Sequence, residues 1–230
     1  MGDKAQNRGN NWLGDFSPAT LASGCLAARK YHRPRSESVT TPQPKARTEL
    51  GRAAVRVFVA NEQMNQMLLE HLDPAVWRAK PPGNTRTIAA IFTHVHNVRC
   101  KWVRLTVPHL KAPGQLNRSH CTRQQARAGL ARSAARCAQM LAEALGGDGG
   151  RIVKFRRDGW AKPWPAGPEM LCYMLAHEAH HRGQVCMLAH QLGSPLPAKV
   201  TSRMWNWEKL WRECEADGDS GTSRSQEARH

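Results

Sequence analysis

Residues 168–195, PEMLCYMLAHEAHHRGQVCMLAHQLGSP, carry the pattern on which the fold reading turns. Leu171, Met174, Leu175, Val185, Leu188 and Leu192 recur at three- and four-residue steps, the period of one face of an α-helix. Pro168 stands at a favoured first-turn position, and Gly193 and Pro195 close the run. The same inward stripe also passes through His177 and His181, where the pattern asks for aliphatic side chains. The stretch is therefore a helix whose buried face is interrupted by two imidazoles.

Working outward, three more runs keep the helical period. From Thr48, the residues Leu50, Ala54, Val57, Phe58, Met64, Met67, Leu68 and Leu72 form one stripe, ended by Asp73-Pro74. Ile88, Ile91, Val95, Val98, Trp102 and Leu105 form a second, stopped by Pro108. Thr122 stands three residues before Gln125 in capping-box spacing and opens a third, with Leu130, Ala134, Cys137, Leu141 and Leu145 inward and Gly146-Gly147 at its end. Its Arg123, Arg127, Arg132 and Arg136 read as a solvated face. Ile152 to Phe155 reads as a short extended stretch inside a crossover that also holds Trp160 and Trp164, and Met204 to Trp211 as a short amphipathic helix. The prediction is an all-α fold: a four-helix bundle with a crossover connection, plus a short C-terminal helix.

The domain spans residues 46–215. Residues 1–45 mix glycines and prolines with scattered polar residues and read as a disordered or loosely packed extension, dispensable for folding; residues 216–230 read as a flexible tail. A composition of 40% hydrophobic and 23% charged residues over 230 is an ordinary globular balance. The longest apolar runs, such as Ile88 to Phe92, fall far short of the ~18 residues that a membrane span needs, and the start MGDKAQNRGNNW has no apolar leader core. Seven cysteines with no C-x-x-C suggest neither a disulfide framework nor a cysteine zinc site, so reduced thiols in the cytoplasm are expected. The 34 Lys and Arg against 18 Asp and Glu give a net charge of +16, which favours loose binding to nucleic acid, but no long basic block concentrates it.

The chemistry lies in the histidines. His177 and His181 are one helical turn apart, about 6 Å of rise, a separation at which two imidazoles reach one metal ion. A buried pair satisfied by hydrogen bonds is the bland alternative. In the second helix His94 lies on the inward side between Ile91 and Val98, while His96 lies about 200° further round, so His94 is the third candidate ligand. Three neutral imidazoles leave coordination positions open for water or substrate, as catalytic sites do, and accept Zn, Ni, Fe, Mn or Cu alike.

His177-Glu178-Ala179-His180-His181 also satisfies H-E-x-x-H, which makes Glu178 a candidate general base in a zinc peptidase. The longer metzincin form would need Gly where Gln184 stands and His where Met187 stands. By helical angle Glu178 and His180 fall off the metal face. Arg182 and Gln184 are placed to orient ligands, although an Arg on a helix more commonly makes a surface or interhelical salt bridge. Gly183 in mid-helix suggests a close helix approach, and Trp160, Trp164 and Tyr173 are candidates for a pocket wall.

The stretch Thr87-Ile88-Ala89-Ala90-Ile91-Phe92-Thr93-His94, together with His177-Glu178-Ala179-His180-His181-Arg182-Gly183-Gln184, resembles the two signatures of the DinB/YfiT-like superfamily of metalloenzymes, which is distinct from the polymerase sharing the DinB name. The resemblance covers about Thr48 to Glu213. It implies a bundle of up-down-down-up topology, often dimeric, with a divalent metal held by three histidines that map onto His94, His177 and His181. It also implies small-molecule chemistry of the kind done by thiol-dependent S-transferases and related hydrolases or isomerases, with a low-molecular-weight thiol as cosubstrate. The alternative expectation is a non-catalytic, basic stress-response protein that binds nucleic acid or a protein partner.

Overall fold

The computed structural model describes residues 44–81, 83, 85–146 and 167–213. The expected extension and tail, the Ile152 to Phe155 stretch, Trp160 and Trp164 all lie outside the described residues. The regular elements among the described residues are all helical, with no strand among them: α1 (Pro44–His71), α2 (Ile88–Thr106), α3 (Arg123–Gly146), α4 (Gly167–Gln191) and α5 (Ala198–Arg203). Short 3-10 turns follow α1 at Pro74–Val76 and α2 at Pro108–Leu110, and residues 207–213 are helical again.

The helix ends follow from local chemistry. Asp73 accepts the Ala75 amide at 2.8 Å, so the chain leaves α1 in a capped turn. Thr87 caps α2, its Oγ1 accepting from the Ala90 amide at 3.2 Å. At α3 the box is reciprocal: Thr122 Oγ1 accepts from the Gln125 amide at 3.1 Å, and Gln125 Oε1 accepts from the Thr122 amide at 2.9 Å. Gly193 takes φ +78 after α4, a left-handed conformation that glycine adopts without a Cβ penalty. The expected C-terminal helix over Met204 to Trp211 is instead broken: α5 ends at Arg203, and a turn at 204–205 separates it from residues 207–213.

Each of α1 and α2 packs against α3, and α4 meets α1, α2 and α3. Of three apolar clusters among the described residues, one joins Ala60, Met64 and Met67 of α1 to Val200 and Leu210, and the other two lie among the four long helices. One of these two joins Leu68, Leu72, Trp77, Phe92, Val95, Leu130 and Val185, with the Trp77 and Phe92 rings stacked at 5.9 Å. The other joins Ala54, Phe58, Trp102, Met140, Leu141 and Met174. Along every long helix, a short segment with buried polar residues separates the two clusters: Asn61, Glu62 and Asn65 on α1, Arg99 on α2, Ser133 on α3, and Glu178 on α4. Leu105, expected inward on α2, is exposed because the stripe has drifted off the interface by the last turn.

Candidate metal centre

α2 delivers His94, and α4 delivers His177 and His181 one turn apart. The Nε2 atoms of His94 and His177 are 3.3 Å apart, and those of His177 and His181 are 3.2 Å apart. Each of the three residues offers a ring nitrogen within 4.8 Å of the other two, which makes the cluster one that could hold a metal ion. His181 is buried and the other two are partly so.

Protons alone cannot satisfy this arrangement. Gln184 Oε1 lies 2.8 Å from His181 Nδ1 and accepts from it, which leaves His181 Nε2 as a bare lone pair aimed at His177. His177 Nε2 would then have to donate, yet it faces both His94 and His181 and has at most one proton to give. His177 Nδ1, in turn, is buried without a hydrogen-bond partner. One cation shared by three Nε2 lone pairs removes the conflict among the Nε2 atoms and puts the His177 proton on Nδ1. With metal–nitrogen bonds of about 2.0–2.1 Å, tetrahedral ligand atoms stand about 3.3 Å apart, so the spacing found here already matches the edge of such a site.

The electrostatics favour the same protonation state. Burial, then the neighbouring His181, then Arg86, His177 and Arg118 push His94 down to about 3. Burial and His181 push His177 down to about 4, against an opposing pull from Glu178. His181 is lowered chiefly by burial, with the Gln184 hydrogen bond working the other way. All three imidazoles are thus neutral at pH 7, as ligation requires. Trp102 meets the His177 ring edge-on at 5.4 Å and Tyr173 stacks on it at 6.3 Å, so aromatic faces wall one side.

The other conspicuous residues go elsewhere. His96 is fully buried, with Nε2 2.9 Å from Gly114 O and Nδ1 3.1 Å from Ser133 Oγ. His180 is exposed. Glu178 is 1% exposed and stands outside the imidazole cluster. Arg99 Nε and Nη2 donate to its two oxygens at 2.7 and 2.5 Å, and Asn61 and Asn65 donate to Oε2 at 2.6 and 2.8 Å. Burial works to raise the Glu178 pKa, but Arg99 outweighs it and holds the carboxyl below its ordinary range. Arg182 makes no surface ion pair; it turns inward and donates to Asn61 and Asn65. Gly183 makes no close helix approach, since a Cβ built there would meet nothing within 4 Å.

Sequence reasoning missed Arg99, Glu62, Asn61 and Asn65. The signal was present, because all four occupy steps of the inward stripes of α1 and α2, between Phe58 and Leu68 and between Val95 and Trp102.

No curated protein and no solved structure matches this chain. A family model described as DinB family matches residues 46–213, a span that takes in nearly all of α1, the whole of α2 to α4, and the three clustered histidines. With that much of its length accounted for by one family pattern, the chain belongs to the DinB family.

Proposed function

We propose that this chain is a divalent-metal enzyme acting on a small electrophilic substrate, with His94, His177 and His181 as the metal ligands. A bound divalent ion would supply Lewis acidity to a water or to a low-molecular-weight thiol. The observation that carries the reading is the triangle of Nε2 atoms, whose contacts no distribution of imidazole protons can satisfy. Gln184 fixes the tautomer of His181 and so keeps its Nε2 available. Trp102 and Tyr173 shield His177 from water.

Glu178 is assigned a positioning role instead of that of a general base. Both of its oxygens are committed to Arg99, Asn61 and Asn65, which leaves a peptidase mechanism without its base. The scaffold is read as an up-down-down-up bundle. In support, α1 and α4 pass from the cluster around Phe58 and Met174 to the one around Leu68 and Val185, whereas α2 and α3 pass from Val95 and Leu130 to Trp102 and Leu141. The parallel pair then needs the long connection over residues 107–122. No helix among the described residues is long and apolar enough to cross a membrane.

The test is metal content by elemental analysis after purification without chelators, with circular dichroism to exclude unfolding. His94→Ala, His177→Ala and His181→Ala are each expected to abolish stoichiometric binding while His96→Ala and His180→Ala keep it. Folded His94→Ala that stays loaded, or wild-type protein that takes up no divalent ion, sinks the assignment.

A further inference from the structure

Two arginines flank the histidine cluster and neither is used by the core. Arg86 stands immediately before the Thr87 cap of α2 and is half-buried. Arg118 lies on the connection between α2 and α3, and its side chain is exposed. The backbone that carries Arg118 is pinned on both sides. Before it, Asn97, one turn beyond His94, donates to Leu116 O at 3.0 Å and accepts from the Leu116 amide at 2.9 Å. After it, Arg78 donates to Ser119 O at 2.7 Å and to Cys121 O at 2.6 Å, and Trp77 Nε1 donates to Cys121 O at 3.0 Å. Arg118 therefore projects from a clamped loop beside the N-terminal half of α2.

Neither guanidinium has an ion-pair or hydrogen-bond partner among the described residues. Glu62 and Glu178 are engaged with Arg99, and Asp73 with the Ala75 amide and Ser194. The field of both arginines reaches His94, and that of Arg86 reaches His181 as well. Burial, and after it the charge of Arg118, holds Arg86 below its ordinary pKa. Trp77 ties the two backbones to one residue, its carbonyl accepting from the Ala89 amide at 3.0 Å and its indole donating to Cys121 O at 3.0 Å, and two like charges carried on segments so joined, next to a site suited to a third cation, form a charge arrangement that an oxyanion completes. The planar fork of a guanidinium suits carboxylate and phosphate oxygens in particular.

We propose that Arg86 and Arg118 form an anion-binding subsite beside the three histidines, and that the small molecule handled there carries a carboxylate or phosphate group. This deepens the metal-enzyme reading and rests on it for the use to which the anion is put; the binding itself requires only the two arginines. The subsite holds the charged end of the ligand and leaves the reacting end directed at the histidine cluster.

The experiment is isothermal titration of the full-length, metal-free protein at low ionic strength with inorganic phosphate and, separately, with succinate. Arg118→Gln and Arg86→Gln should each weaken binding about tenfold, and the double variant about a hundredfold, the scale of a charged hydrogen bond lost. Arg212→Gln, which removes an equal charge from an exposed site on residues 207–213, should change nothing. The response of phosphate relative to succinate identifies which oxyanion the subsite prefers. Unchanged affinities in Arg118→Gln, whose exposed position makes misfolding no explanation, would overturn the proposal. So would a wild-type protein that binds neither probe. His94→Ala separates the two readings: it should lose the metal and keep the anion. Metal uptake without anion binding defeats this inference alone, and anion binding without metal uptake defeats only the metal assignment.

Discussion

Two sides of α4, separated by a single residue step, treat burial in opposite ways. His177 and His181 point toward α2 and are kept neutral, short of partners and pressed against one another. Glu178 and Arg182, one step along, point toward α1 and are charged and hydrogen-bonded, within a layer where two acids and two arginines are in balance: Glu62, Glu178, Arg99 and Arg182. Both sides take polar groups out of water. The difference is whether the protein supplies the complement. Where it does, the polar groups are structural; where it does not, the complement must come from outside, and that is the mark of a binding site.

The largest expected effect is on the paired side. Arg99→Met strands Glu178 and Glu62 in the core, and removing one partner of such a pair costs about 3–5 kcal/mol. His177→Ala removes a ring that lacks a partner for Nδ1, so urea unfolding of the metal-free protein should show a clearly smaller loss. Equal losses in the two variants would break the comparison.

Acid should sharpen it. The folded values of His94 and His177, about 3 and about 4, lie below the 6.5 of an unperturbed imidazole. As pH falls below 6.5 the unfolded chain takes up protons that the folded chain refuses, so stability present above 6.5 is lost progressively toward those folded values. Glu178 is lowered from 4.5, so its contribution persists above 4.5 and is lost only below it. The urea midpoint of metal-free protein should thus begin to fall between pH 6.5 and 4.5 through its buried imidazoles, His96 among them because burial lowers it too, and His94→Ala should make that upper limb shallower without removing it. A midpoint that is level across the window contradicts the assignment.

The smallest effect concerns the residue between Arg182 and Gln184. Gly183→Ala puts a methyl group into open space at mid-helix and should stabilise the protein by up to about 1 kcal/mol while leaving metal content unchanged. A loss of metal on this substitution would show that the two sides of the helix are coupled through its backbone.

Much of this was legible in the chain. The helix ends followed from Asp73-Pro74, Thr122 with Gln125, and Gly193, because caps and breakers are local. The three histidines emerged because two of them lie one turn apart on an apolar stripe. Arg99 and its acids did not, since the residues that neutralise one another are 37 and 79 positions apart and nothing local marks them as partners. Periodicity counts a charged residue as outward even where the stripe passes through it. For the same reason helical angle puts Glu178 off the metal face without showing that it meets Arg99 across the bundle.

The guanidinium of Arg99 also bears on how the chain reaches this structure. From α2 it donates to Glu178 on α4, to Glu62 on α1, and to the Leu130 carbonyl on α3 at 3.1 Å. A partly assembled form lacking any one of those helices would leave this group, or the acid meant for it, desolvated and unmatched. Three docked helices waiting for a fourth are therefore penalised, and the polar layer ties the assembly of all four into one cooperative step.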